Sequence, residues 1–291
     1  MDFSDLIPIF TGAIGGATSA GVFKGPIKTL EDWWFISFGQ KSSIEADLLR
    51  AKHQASIEAY KSNILDEVKS IPPENLQEPT MKILGPSLEA SKYYIDEEEL
   101  RVLFAKLIAA SMNSNKINQV HPSFVEIIKQ LTPLDAQNLS CFDSLKTYPL
   151  AKILLPISKG GSREYATNIF LENPNVIDSS QMSSSIGNLS RLGIVDLNYN
   201  ASKTEDGIYD AFIETDIYKL AITEMKEKNM EIDIYEKKLE SFLSENRGLI
   251  DAPKLEKINE TKISRYQFPT IKKGVIALTP FGRDFCSVCL K

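Results

Sequence analysis

Histidine and cysteine are scarce in this chain, and that scarcity narrows the chemistry open to it. Its 291 residues contain two histidines, His53 and His121, and three cysteines, Cys141, Cys286 and Cys289. Three thiols with no secretory signal predict a reducing compartment and no disulfide framework. Cys286 and Cys289 form a lone CxxC without the second pair of ligands that a structural zinc site needs, so neither a metal nor a cofactor is expected. Val288, fourth from the end, rules out a CaaX box. An excess of positive charge is missing too. The formal net charge is −6, so bulk electrostatics repel nucleic acid and anionic lipid, and any such contact needs a local basic patch. One stretch qualifies. Between Asp251 and Lys291, eight cations including Lys272 and Lys273 face four carboxylates.

Charge is absent altogether from Leu6 to Phe23, a run diluted by Pro8 and several glycines. Ala13, Ala17, Gly21 and Gly25 recur every fourth position, a spacing that on a helix lines one face and admits a second backbone. Three readings of this segment stay open. It packs within the protein or its oligomer, it contacts a membrane through the interface-suited Trp33 and Trp34, or it is an unstructured N-terminus.

Farther along, apolar spacing of three and four predicts a long amphipathic helix over Gln40–Ile71, stopped by Pro72 and Pro73. A second helix, Thr80–Tyr93, is expected to break or bend at Gly85-Pro86. Asp96 followed by Glu99 reads as a capping box opening a third helix, whose buried stripe includes Leu100, Leu103, Phe104 and Leu107. Pro122 marks the first turn of a fourth, with Phe124, Ile127, Ile128 and Leu131 on its core face. Thr132-Pro133-Leu134-Asp135 repeats the start signal for a fifth helix, to about Lys146.

Beyond that point the texture changes. Ile153–Ile157 reads as a short buried strand, and Asp178–Leu192 as a serine-rich helix halted by Gly193 and followed by an alternating strand. Ile208–Asn246 is helical again, and Gly274–Leu278 is a strand leading through Pro280 into a last helix. The motifs Leu189-x-x-Leu192-Gly193-Ile194 and Leu278-Thr279-Pro280-x-Gly282 resemble the recognition-helix exit and the closing strand of a winged helix-turn-helix. The fold expected is therefore mainly α. Residues 1–39 form the uncharged small-residue segment and 40–131 a helical core. Residues 132–291 form a winged-helix-like α+β domain with a helical insertion at about 208–250. Its recognition helix would offer Gln181, Asn188 and Arg191, with Lys272 and Lys273 at the wing. One cation on that helix is few for phosphate-driven binding, so nucleic acid is not the favoured partner.

Two groups remain as candidates for chemistry. His121 lies before Pro122 and near Glu126, which suits a general base oriented by a carboxylate, or more simply a capping histidine bonded to backbone. Asp96, Glu97, Glu98 and Glu99 could hold a divalent ion as in a nuclease, or complement a helix macrodipole. Gly160-Gly161-Ser162-Arg163 lacks the lysine of a P-loop and reads as a turn. In both groups the simpler role is preferred, and no catalytic residue is assigned.

The segments Leu84–Ala90, Asp96–Arg101, Leu103–Met112 and Val120–Leu131, with His121, Pro122, Phe124 and Glu126 in the last, together resemble the abortive-infection alpha family of bacterial phage-defence proteins. The closing Leu278–Arg283 with Phe285-Cys286 is similar to that family's ending. The resemblance covers most of Asn63–Lys291 and implies antiphage defence. It carries no catalytic residues. A non-enzymatic protein is expected, acting as a homo-oligomer or on a phage or host protein, and cytoplasmic or peripheral to the inner membrane.

Overall fold

The computed structural model describes residues 44–175, 178–246 and 264–291. They carry nine α-helices and four strands: α1 (Ile44–Lys69), α2 (Met81–Ser91), α3 (Glu98–Ser111), α4 (Ser123–Ile128), α5 (Pro133–Ser140), β1 (Thr147–Pro156), β2 (Ser162–Ile169), α6 (Ser179–Arg191), β3 (Val195–Asn198), α7 (Asp210–Ile213), α8 (Asp216–Glu245), β4 (Thr270–Leu278) and α9 (Pro280–Cys289). Two compact units result. The first gathers the described part of Met1–Lys146 with Asn188–Asp196 and Leu278–Lys291, and the second gathers Thr147–Gly187 with Leu197–Ala277.

In the first unit α3 is the central element, because its sequence is apolar on almost every side. Leu100, Leu103, Phe104, Ala105, Leu107, Ile108, Ala109 and Ala110 are all buried, and a helix apolar all round is stable only when other helices surround it. Neighbours α1, α2, α4, α5 and α9 do so. From α1, Ile64 and Val68 are fully covered. α2 runs unbroken through Pro86, so of the break or bend expected there the break does not occur. The proline removes one donor, and burial of Ile83, Leu84 and Leu88 on the same helix offsets the loss at roughly 1.5–3 kcal/mol per side chain. The start of α3 also differs from expectation. Its N-cap is Glu97, without a side-chain cap, because Asp96 turns to His53 Nδ1 at 2.6 Å and Glu99 accepts from Gln137 Nε2 at 2.8 Å.

The second unit is built on a four-stranded antiparallel sheet in the order β2-β1-β4-β3. This corrects the expectation of a mainly α chain closed by a winged-helix-like domain: the protein is mixed α/β. β4 does lie beside β3, as the two strands of a wing would, but the sheet does not stop at two strands. β4 pairs with β1 over eight positions, from Thr147↔Ala277 to Leu154↔Thr270, and β1 pairs with β2 on its other side. Ala151, Ile153 and Leu155 alternate on one face of β1, and Tyr209 at the N-cap of α7, Phe212 of α7 and Ala221 and Met225 of α8 bury that face. β2 gave no signal because its residues Tyr165 to Asn168 are all half-buried, which erases the period of two on which strand recognition rests. At thirty residues, α8 is about 45 Å long. No helix among the described residues is long and apolar enough to cross a membrane.

Candidate functional site

The sequence candidates fall in three places. On α6, Gln181 is exposed, but Asn188 and Arg191 are engaged within the first unit. Asn188 Nδ2 donates to the Gln130 carbonyl and to Asp135 Oδ2, each at 2.9 Å. Its Oδ1 accepts from Arg191 at 2.7 Å, and Arg191 reaches on to Gln130 Oε1 at 3.1 Å. Asp135 is 1 % exposed, and its carboxylate also accepts from the Thr132 backbone in the capping box that opens α5. The physical logic is local: a buried carboxylate needs several donors, and the α6 amide supplies one. Sequence reasoning missed Gln130 and Asp135 as partners, although the capping box itself was legible.

His121 stands at the entry to α4. Its Nδ1 accepts from the Ser123 backbone N–H at 3.2 Å and lies 2.6 Å from Ser123 Oγ, so the ring satisfies one of the orphan donors at the helix start. The ring meets Phe281 edge-on with centroids 5.9 Å apart, and Phe124 packs tilted against Phe281 at 5.3 Å and edge-on against Phe285 at 5.2 Å. Pro122 occupies the N-cap position of α4. Glu126 is turned to Lys129, at 2.8 Å. The motif residues of the fourth helix thus meet those of α9, and among the described residues no carboxylate is bonded to the His121 ring.

The end of α9 is held by lysines. Lys106 Nζ donates to the Leu290 carbonyl at 2.6 Å and Lys116 Nζ to the Ser287 carbonyl at 3.2 Å, cations placed where the helix dipole is negative. Burial pushes the Cys286 thiol up to about 12 and Cys289 well above its ordinary value. Raised thiols stay protonated and are poor nucleophiles. Among the described residues, no group of three or more His, Cys, Asp or Glu side chains is gathered to hold a metal ion.

In the second unit Lys272 and Lys273 are both exposed on β4. The Lys273 ammonium lies 5.1 Å from the Tyr209 ring centre, and Lys272 stands opposite Lys152 in the register with β1. Lys152 is neutralised by Glu164 at 2.9 Å and lies 4.6 Å from the Tyr199 ring centre. Tyr199 in turn donates to Asn168 Oδ1 at 2.9 Å and accepts from the Asn168 backbone at 3.1 Å, and burial pushes its hydroxyl up to about 12. Gly274 is required beneath it, since an added Cβ would lie 2.6 Å from the ring. Ala13, Ala17, Gly21, Gly25, Trp33 and Trp34 lie outside the described residues.

A groove of about 370 Å³ in the first unit had no counterpart in the sequence reading. It opens between α3, α5 and the end of α9. Its lining residues come from segments that nothing in local spacing connects.

These features define a mixed α/β protein in which His121, Asn188 and Arg191 are hydrogen-bonded to neighbouring framework groups. The profile of the family described as abortive infection alpha matches residues 52–289, and the chain belongs to that family. No curated protein and no solved structure matches it.

Proposed function

We propose that this protein serves abortive-infection defence against phage by binding a protein or membrane, without catalysing a reaction. Family membership supports the defence role. The observation that carries the non-catalytic reading is the engagement of the candidate side chains. His121 caps α4, Asn188 and Arg191 brace α6 against Gln130 and Asp135, and the α9 thiols are held protonated. Asn188 cannot move to a base edge without removing a donor from the buried Asp135 carboxylate, and His121 and Arg191, although exposed, are turned to the Ser123 backbone and to Gln130. The proposed partners are a second copy of the chain and a phage or host protein, with the inner-membrane surface as the site of action of the segment Leu6–Phe23.

The experiment is phage plating on cells carrying the protein, with two variants compared. Deletion of residues 2–30 is expected to abolish protection, and His121→Ala to retain it in proportion to the folded protein present. Fractionation before and after infection reads the membrane part. Loss of protection in a folded His121→Ala variant, or a purified activity on nucleotide, nucleic acid or peptide that one side-chain change removes, would refute the proposal.

A further inference from the structure

The turn between α5 and β1 holds a leucine almost wholly in water. Leu145 is 90 % exposed, and the turn that presents it is tied down. The Asp143 carboxylate accepts the Leu145 N–H, a bond that together with Lys146 holds its carboxyl below the ordinary value. The Lys146 N–H donates to the Asp143 carbonyl at 3.2 Å, and the Lys291 ammonium donates to Ser144 Oγ at 3.3 Å. A lone exposed leucine is ordinary on a protein surface. This one stands beside the open groove of the first unit. Ser140, on the same side of the turn, lines that groove, and so does Leu290, whose neighbour Lys291 holds Ser144. The groove floor is apolar, built by Val102, Leu103, Ala136 and Leu290, with Glu98 at the α3 end.

We propose that two copies of the chain pair across a two-fold axis, each seating its Leu145 in the groove of the other and directing Lys146 to Glu98 there. Three observations carry this. The first is size: about 370 Å³ is near the lower end of binding pockets, room for a side chain or two on an apolar floor. The second is charge. An apolar knob followed by a cation meets an apolar floor ending in a carboxylate, and Lys146, 69 % exposed, is held only by Asp143 at 3.4 Å, a surface pair that yields readily to another carboxylate. The third is placement. Knob and groove lie side by side on one unit, the self-complementary arrangement that a closed two-fold dimer requires. The tied turn keeps Leu145 out of its own groove and has little freedom left to lose on binding. This names the surface for the second-copy partner proposed above and rests on that reading.

The test is sedimentation equilibrium of the full-length protein from nanomolar to high micromolar concentration, with circular dichroism confirming that each variant is folded. The parent is expected to form a dimer. Leu145→Ser is expected to raise the dimer dissociation constant roughly 100-fold or more, because two leucines per dimer return to water, while Leu145→Met stays within a few-fold of the parent. Glu98→Lys and Lys146→Glu should each weaken the dimer, and their combination should recover most of the loss. A parent that stays monomeric would overturn both this interface and the second-copy reading. A dimer indifferent to Leu145→Ser, or a combined variant no better than the single ones, would overturn this interface and leave self-association to another face. Open chains that lengthen with concentration would overturn the two-fold closure. Dimers as expected in a protein that confers no plating defence would leave the interface intact and remove the function.

Discussion

Replacing Gly282 by alanine tests how the first unit is closed. An added Cβ would lie 2.0 Å from the Ile194 carbonyl oxygen and 2.8 Å from its carbon. Ordinary contact needs more than 3 Å, so backbone must move by over an ångström, and that backbone is tied. Ile194 O accepts from Thr279 N at 3.0 Å, and Thr279 Oγ1 donates to Gly193 O at 2.6 Å while it accepts from Gly282 N at 2.8 Å. Overpacking alone costs about 1–3 kcal/mol, and disturbing the Thr279 cap adds roughly 1 kcal/mol. The expected loss is about 2–4 kcal/mol, read as a lower urea midpoint at unchanged slope by far-ultraviolet circular dichroism. Gly187→Ala is the control. Its nearest neighbour to an added Cβ is Asn168 Nδ2 at 3.7 Å, so gaining a better helix former leaves stability equal or about 0.5–1 kcal/mol higher. A Gly282→Ala protein within about 0.5 kcal/mol of the parent, inside the range of ordinary surface substitutions, would refute the close-approach argument.

Asn188→Ala removes one donor from the buried Asp135 carboxylate and is expected to cost about 1–3 kcal/mol. A double-mutant cycle with Asp135→Ala checks it by showing coupling well above the roughly 0.3–0.5 kcal/mol scatter of independent sites. Native protein treated with iodoacetamide at mildly alkaline pH is expected to be labelled at Cys141, with Cys286 and Cys289 reacting only after denaturation; prompt labelling of either would contradict their burial. The same thiols set an alkaline limit. The folded state keeps a proton on Cys286 up to about 12, whereas the unfolded thiol releases it near 9.0. The stabilisation is therefore complete below that lower value and is lost between the two, with a slope of up to about 1.4 kcal/mol per pH unit for this group. Cys286→Ala should flatten that decline in urea titrations run at successive pH values.

What could be read from the sequence followed the range over which each signal acts. A start signal closed within four residues, Thr132 to Asp135, was legible because both partners sit in one window. The helix stops at Pro72 and Gly193 were legible for the same reason. Asp96 was misread because its competing partner, His53, lies on another helix, and a tertiary ion pair displaced a local cap. The sheet was under-read because β1 carries Pro149 and Pro156, residues that argue against a strand, and β2 shows no alternation. The groove lined by Glu98 and Cys289 was invisible, since only folding brings α3 and α9 together.

The two motifs that suggested a winged helix have a different physical content. Leu189-x-x-Leu192-Gly193-Ile194 and Leu278-Thr279-Pro280-x-Gly282 are separated by most of the second unit's sequence, yet they form one joint. Gly193 adopts φ +74°, a conformation natural to glycine. That turn presents the Gly193 and Ile194 carbonyls to Thr279, and Gly282 lets α9 approach the same backbone. Phe281 and Phe285 then reach Phe124, at the helix that His121 caps. The segments carrying the family resemblance, at 120–131 and at 278–286, thus build a single packed object. That is why the last helix belongs to the first unit, even though the stretch between the motifs folds around its own core.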